Sequence, residues 1–197
     1  MQLWKNTALT SVAALLGLFL LPLAVAREPA EVPEHTELPR TEQTTPVQPA
    51  AKAVYDADRT LRVLDGETVR EMTLADYLVG VTAAEMPASF AEEALKAQAV
   101  AARTYTLYKL TAGSNHGDTA DICTDSTCCQ AYIAMEQARA NWGAQADAYE
   151  KKVRDAVTST DGEAILYGGI PILAVFHSSS AGLTRAAGQV WQNELPY

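Results

Sequence analysis

The stretch that decides the fold is TLADYLVGVTAAEMPASFAEEALKAQAVAARTY, residues 73–105. Its first half spaces apolar residues three and four apart, as one face of a helix requires, and Pro87 ends that helix. Thr73 precedes the first apolar residue and Asp76 follows three residues later, which is typical of a capped helix start. The stretch therefore predicts a capped helix that ends at Pro87.

A second helix is predicted directly after this proline. Ser89 with Glu92 three residues later forms another start signal, and an alanine-rich run continues to about Leu110. Gly113 is the stop signal. The two helices form a pair joined by a short turn.

The surrounding sequence adds strands and one more helix. Residues 60–71 alternate weakly around Asp65 and Gly66, which predicts a hairpin. Beyond the helical pair we expect a helix over 147–158 and two strands over 163–167 and 170–176. Because helices and strands segregate along the chain instead of alternating, the predicted fold class is α+β.

The amino-terminal region predicts a membrane-directed segment. No charged residue lies between Lys5 and Arg27, and 8–25 is a nearly continuous apolar run. Its length suits a membrane-spanning helix, whereas Pro22 and the small residues 24–26 also suit a cleaved secretory signal. We therefore expect residues 1–26 to be an anchor or a signal, with the remainder outside the cytoplasm.

A change in composition divides the rest of the chain. Residues 27–52 carry five prolines and five glutamates without glycine or aromatic residues, which indicates an extended tether. Residues 53–197 form the predicted single domain. The chain stops at Tyr197 without a final helix or strand signal, from which we expect the domain to be incomplete at this end.

The charge excludes one class of partner. The chain has 15 basic and 24 acidic residues, a formal net charge of −9. Such a surface does not neutralise phosphates, so a nucleic-acid-binding function is not expected.

Glu85 is a candidate general acid. It extends the apolar face of the first helix at its carboxyl end, where apolar neighbours and the helix dipole both favour its protonated form. The alternative is a surface glutamate at a frayed helix end. Arg103 lies among alanines on the second helix and is a further candidate, with a solvent-exposed or core-edge arginine as the alternative. Pro87 prevents Glu85 and Arg103 from sharing one helix.

Two further clusters are candidate binding sites. His116, Cys123 and Cys129 supply a plausible zinc set, with Cys128 or water as the fourth ligand. Adjacent cysteines make shared use of both sulfurs awkward. The alternative is a disulfide between Cys123 and one of the two neighbouring cysteines. The hydroxyl-rich loop after the last strand suits a sugar or an anion, or is a polar turn; it comprises His177, Ser178, Ser179 and Ser180.

The motifs together resemble the SpoIID/LytB domain family from about residue 58 to the end. The resemblance is carried by DYLVGV at 76–81, AEMP at 84–87, EALKAQAVAARTY at 93–105, DICTD at 121–125, CQAY at 129–132 and FHSSS at 176–180. It implies a membrane-anchored lytic transglycosylase that cleaves peptidoglycan between N-acetylmuramic acid and N-acetylglucosamine. The product would be a 1,6-anhydro end.

The resemblance also implies roles for individual residues. Glu85 corresponds to the essential acid of the family, and Arg103 corresponds to an arginine that is also implicated. Some members bind zinc through a histidine and two cysteines, here His116, Cys123 and Cys129. The zinc loop is then structural, and Arg103 and the serine loop hold the glycan.

The family context implies a place and partners for the protein. These are a cell membrane, peptidoglycan strands, a cell-wall amidase and a membrane scaffold protein, in septal wall degradation and engulfment during sporulation. A competing hypothesis is a glycan-binding enhancer of an amidase, without catalysis. A third is an extracytoplasmic zinc enzyme, which ranks last because no general base is evident beside the ligands.

Overall fold

The computed structural model describes residues 55–179, 182–191 and 195–197. The predicted anchor over 1–26 and the predicted tether over 27–52 lie outside these residues, as does the start of the predicted domain at 53. Within the described part of the chain, no helix combines the length and apolar character needed to cross a membrane.

The predicted hairpin is confirmed. Strands β1 (Thr60–Asp65) and β2 (Thr68–Thr73) pair antiparallel, with Asp65 opposite Thr68. Gly66 occupies the turn at φ +61°, a conformation that glycine adopts without steric cost. A short third strand, β3 (Ile122–Cys123), pairs in parallel with β1, which gives the sheet order β2-β1-β3.

The helical pair follows directly on β2. Helix α1 (Leu74–Glu85) begins as predicted, because Thr73 Oγ1 accepts a hydrogen bond from the backbone N–H of Asp76 at 3.1 Å. Helix α2 (Glu92–Ala112) ends as predicted at Gly113. Its amino-terminal cap is Ala91 without a side-chain hydrogen bond, so the predicted cap at Ser89 is wrong.

The second half of the chain contains more helix and less strand than predicted. Its elements are α3 (Met135–Trp142), a 3-10 turn (Gly143–Gln145), α4 (Ala146–Ser159), β4 (Leu166–Tyr167), β5 (Ile170–Pro171) and α5 (Ala187–Trp191). Helix α4 confirms the helix expected over 147–158, whereas α3 was not predicted. The expected strands shrink to a two-residue ladder, because beyond Pro171 the backbone turns on itself, with Val175 N–H donating to Leu173. The fold mixes helices with small sheets, consistent with α+β.

The core lies between the three-stranded sheet and the helices. It is built from side chains that are fully or almost fully buried, which include Leu61, Val63, Leu74, Tyr77, Leu78, Val81, Ala99, Ala102, Ile122, Val153 and Val157. These residues come from β1, β3, α1, α2 and α4. Helices α1, α2 and α4 therefore share one apolar interior, and the sheet closes it.

A buried ion pair crosses this core. Arg103 of α2 is only 1% exposed, and its Nη2 lies 2.7 Å from Oδ2 of Asp56 in a 3-10 turn (Asp56–Asp58). Burial raises the pKa of the Asp56 carboxyl, and the Arg103 guanidinium opposes that shift. The same guanidinium donates to the carbonyls of Val157 and Glu163, at 3.1 Å each. One side chain thus joins α2 to the chain before β1 and to the end of α4.

We expect Arg103→Met to destabilise the domain by about 3–5 kcal/mol, because it leaves the Asp56 carboxylate buried without its partner. Urea denaturation measures the change. Arg154→Met is the matched control, since the Arg154 side chain is 44% exposed and its ion pairs lie at the surface. The control should lose less than about 1 kcal/mol. Equal losses for both variants would contradict a special role for the buried pair.

Candidate functional site

Glu85 is the last residue of α1 and is half-buried. Its Oε1 accepts a hydrogen bond of 2.8 Å from the backbone N–H of Ala131, which lies 46 positions further along the chain. The helix ends here because Met86 leaves the helical conformation ahead of Pro87. The predicted position of Glu85 is confirmed, and a second segment fixes its carboxylate.

This second segment, residues 130–133, is called the strap below. The backbone N–H of Ile133 donates to the carbonyl of Gly80 at 3.3 Å, and Tyr132 stacks on Tyr77 with ring centroids 5.8 Å apart. At the other end, Gln130 Nε2 donates to Thr106 Oγ1 of α2 at 3.2 Å. The strap therefore lies along α1 and is attached to both helices of the pair.

Sequence reasoning missed the strap. The signal that could have found it is Gly80, a glycine in the middle of an apolar helix. A better helix former would be more stable there unless another part of the chain approaches closely. In the structure Tyr132 and the carbonyl of Ile133 occupy the space beside it.

The loop between α2 and α3 brings the predicted metal ligands together. The ligand atoms of His116, Cys123, Cys128 and Cys129 all lie within 4.8 Å of one another. Nε2 of His116 is 3.6 Å from Sγ of Cys128 and 3.8 Å from Sγ of Cys129, and these two sulfurs are 3.8 Å apart. The arrangement that the sequence made look awkward, with two adjacent cysteines in one cluster, is present in the structure.

The three separations among His116, Cys128 and Cys129 fit a tetrahedral zinc ion, and Sγ of Cys123 lies within 4.8 Å of each of these atoms. With a Zn–S bond of about 2.3 Å, two sulfurs on a tetrahedron are about 3.8 Å apart, and a sulfur and a nitrogen are slightly closer. Three thiols and one imidazole are also the ligand types of structural zinc sites. The residues present therefore fit zinc, with Cys128 in the fourth position.

The thiols have different environments. Burial raises the pKa of Cys129 to about 12 and also raises that of Cys123. For Cys128 burial acts in the same direction, but hydrogen bonds, including one from Asn115 Nδ2 at 3.6 Å, bring its pKa below the usual value. A bound cation would offset the cost of ionising the buried thiols.

Two tyrosines on α1 and α2 also hold the cysteine loop in place through hydrogen bonds. Tyr77 donates its hydroxyl to the carbonyl of Cys123 at 3.1 Å, and Tyr105 donates to that of Cys128 at 3.4 Å. All three cysteines are free thiols in the structure, so neither alternative disulfide is formed. Helices α1 and α2 thus each position one part of the cluster.

The structure places Arg103 away from solvent. All its described hydrogen bonds run to Asp56, Val157, Thr160 and Glu163. A direct contact with a bound glycan, as the resemblance implied, would need the guanidinium to leave these partners. Its observed contacts are those of a residue that holds elements together.

The serine loop lies at a separate cavity. His177, Ser178 and Ser179 are exposed, and His177 and Ser179 line a cavity of about 960 Å³ with mostly apolar walls. Ser180 lies outside the described residues. Glu85 is not among the residues that line this cavity, so the structure does not bring the predicted acid and the predicted glycan loop into one described pocket.

Comparisons with known proteins show the family to which this chain belongs. The SpoIID family model, described as a stage II sporulation protein, matches residues 65–167, which include Glu85, the strap and the cysteine loop. Stage II sporulation protein D of Bacillus amyloliquefaciens is 36% identical over 177 residues, 88% of this chain and 49% of that protein.

Two proteins of Bacillus subtilis (strain 168) are also similar. Its stage II sporulation protein D is 37% identical over 132 residues, 66% of this chain and 38% of that protein. Its amidase enhancer is 38% identical over 120 residues, 61% of this chain and 14% of that protein. The chain spans about half or less of the length of these relatives. It belongs to the SpoIID family of sporulation proteins.

Proposed function

We propose that the protein is a lytic transglycosylase of peptidoglycan and that Glu85 is its catalytic acid and base. The observation that carries the proposal is the half-buried Glu85 carboxylate, fixed through Oε1 by the Ala131 N–H. Among the described residues, no hydrogen bond occupies its Oε2, which remains for proton transfer. Membership of a family of sporulation proteins supports a substrate in the cell wall.

The chemistry needs only one carboxyl group. Hydrolytic glycosidases use two, one as acid and one as base or nucleophile. In the proposed reaction Glu85 protonates the glycosidic oxygen as the bond from C1 of N-acetylmuramic acid to that oxygen breaks. The 6-hydroxyl of the same sugar then attacks C1 and gives its proton to Glu85, which closes the 1,6-anhydro ring and restores the acid.

Oε1 suits both halves of this cycle. When Glu85 is ionised, Oε1 is a carboxylate oxygen, and when the proton is on Oε2, Oε1 is a carbonyl oxygen. It accepts the hydrogen bond from Ala131 in either state. The carboxyl group therefore keeps its place while its charge changes twice.

The cysteine loop is proposed as a structural zinc site. His116, Cys123 and Cys129 are the predicted ligands, and the separations favour Cys128 as the fourth. A zinc ion with four protein ligands has no open position for substrate or water, so it would supply folding energy and no chemistry. This arrangement disfavours the hypothesis of an extracytoplasmic zinc enzyme.

The remaining roles follow from position. Arg103 is proposed to act on the site only through the elements it joins, and the exposed serine loop, His177 to Ser179, is proposed to hold glycan at its own cavity. The family resemblance supports three further proposals. Residues 1–26 anchor the protein in a membrane or are cleaved off so that the protein is secreted. An amidase and a membrane scaffold are its partners, and engulfment is the process in which it acts.

The second candidate is a glycan-binding amidase enhancer. It is favoured by one observation, the 38% identity to a protein named amidase enhancer. Product analysis separates the two functions, because an enhancer alone makes no anhydro sugar.

We expect Glu85→Gln to lower the release of anhydro-muropeptides from purified sacculi by about 100-fold or more, the usual contribution of a general acid. Mass analysis of the sugar ends, on denuded glycan strands as well, measures it. Glu67→Gln, at an exposed position of the β1–β2 turn, is the control and should keep full activity. Undiminished anhydro product from Glu85→Gln would refute the catalytic role.

We expect one zinc ion per chain, bound by the cysteine loop. His116→Ala should lose the zinc and lower the melting temperature, and chelation should do the same to the parent protein. His177→Ala removes an exposed histidine outside the loop and should keep the metal. Elemental analysis and thermal unfolding measure both effects. A stoichiometric metal content in His116→Ala would overturn the site.

Zinc binding should also weaken as the pH falls, because the thiols must lose their protons to bind zinc.

A further measurement tests Cys128 as a ligand. In a cobalt-substituted protein, the intensity of the thiolate charge-transfer band should be lower in Cys128→Ser than in the parent protein. An unchanged band would exclude Cys128 as a ligand.

A further inference from the structure

Gly80 has a packing role that no other residue can fill without movement. A Cβ atom at this position would overlap Cε2 of Tyr132 and would lie 2.7 Å from its Cδ2 and 2.9 Å from the carbonyl oxygen of Ile133. Real Cβ atoms do not approach other atoms this closely. The tyrosine tip could swing away, but the carbonyl belongs to the backbone, so the strap itself would have to shift.

Two hydrogen bonds on either side of Tyr132 fix the register between the strap and α1. Ile133 N–H bonds to Gly80, and Ala131 N–H bonds to Glu85. Glu85 is the fifth residue after Gly80 along α1, a rise of about 7.5 Å. Two extended residues from Ala131 to Ile133 span about 7 Å. The two lengths are similar, so Ile133 and Ala131 can bond to the Gly80 carbonyl and to the Glu85 side chain at the same time.

A small displacement of the strap would break the bond to Glu85. A slip of one residue moves a backbone N–H by about 3.3 Å, and the present N···O distance of 2.8 Å would then exceed hydrogen-bond range. Tyr132 resists such a slip because its ring lies against Gly80 and stacks on the fully buried Tyr77 with an interplanar angle of 8°.

We propose that Gly80 and Tyr132 are positioning residues for Glu85: their contact sets the register of the strap, and the strap places the catalytic carboxyl group through the Ala131 N–H. The inference rests on the proposed function of Glu85. It concerns neither substrate binding nor the zinc ligands, and it assigns a role to two residues outside the predicted site.

The test compares kinetics of Gly80→Ala with those of the parent protein on denuded glycan strands. A misplaced carboxyl group slows the chemical step, so kcat should fall at least tenfold while KM stays within twofold. Tyr132→Ala should behave in the same way, and Tyr132→Phe, which keeps the ring, should retain kcat within twofold. Because both residues act through one contact, the double variant should lose little more than either single variant.

A stability control separates positioning from general damage. Val153→Ala opens a cavity in the fully buried face of α4, and it should lower the melting temperature at least as much as Gly80→Ala while kcat stays within twofold. If Val153→Ala lowers kcat as strongly as Gly80→Ala does, the loss reflects stability and the proposal is overturned.

Hydrogen exchange provides a measurement independent of activity. The Ala131 amide should exchange at least tenfold faster in Gly80→Ala and in Glu85→Ala than in the parent protein, and it should stay protected in Glu85→Gln, whose amide oxygen still accepts. An Ala131 amide as protected in Gly80→Ala as in the parent would overturn the proposed register.

The two proposals fail in distinguishable ways. If Glu85→Gln abolishes the anhydro product and Gly80→Ala keeps its kcat, the positioning role is wrong and the proposed function stands. If Glu85→Gln keeps the activity, the proposed function fails, and with it the catalytic purpose of the strap.

Discussion

The buried ion pair between Arg103 and Asp56 is the constraint on which the rest of the domain depends. A fully desolvated guanidinium is tolerated only when its donors are used, and here a carboxylate, a hydroxyl and two backbone carbonyls use them. These partners lie before β1 and at the end of α4, whereas Arg103 itself lies on α2. The pair therefore holds three distant parts of the chain together at α2. Helix α1 and the cysteine loop in turn pack against α2.

Two contacts connect α2 to Glu85. Helix α1 packs on α2, and the strap is attached to α2 through Gln130 and to α1 through Gly80. Cys129 immediately precedes the strap, so a metal ion in the cysteine loop would immobilise the chain only two residues before Ala131. The loop that carries the cysteine cluster therefore continues directly into the backbone N–H that binds Glu85.

Local features of the domain were predictable from the sequence, and tertiary features were not. The cap at Thr73, the turn at Gly66 and the end of α1 depend on neighbours within a few residues, so sequence patterns contain them. Helix α3 was missed because only Ala138 of its eight residues is buried, which leaves almost no apolar period to detect. The strap and the Arg103–Asp56 pair join residues 46 and 47 positions apart, and no local pattern records such contacts.

The cysteine cluster shows why spacing alone could not decide its geometry. In an extended chain, neighbouring side chains point to opposite sides, which made joint use of Cys128 and Cys129 look awkward. The structure instead places Cys128 and Cys129 in a tight turn, where their N–H groups both bond to the Asp125 carbonyl, at 3.1 and 2.8 Å. A helical turn directs successive side chains about 100° apart, so both sulfurs can reach one centre from the same side. The backbone conformation, which the hydrogen-bonded Asp125 carbonyl sets, therefore brings the two adjacent sulfurs to 3.8 Å from each other and to within 3.8 Å of Nε2 of His116.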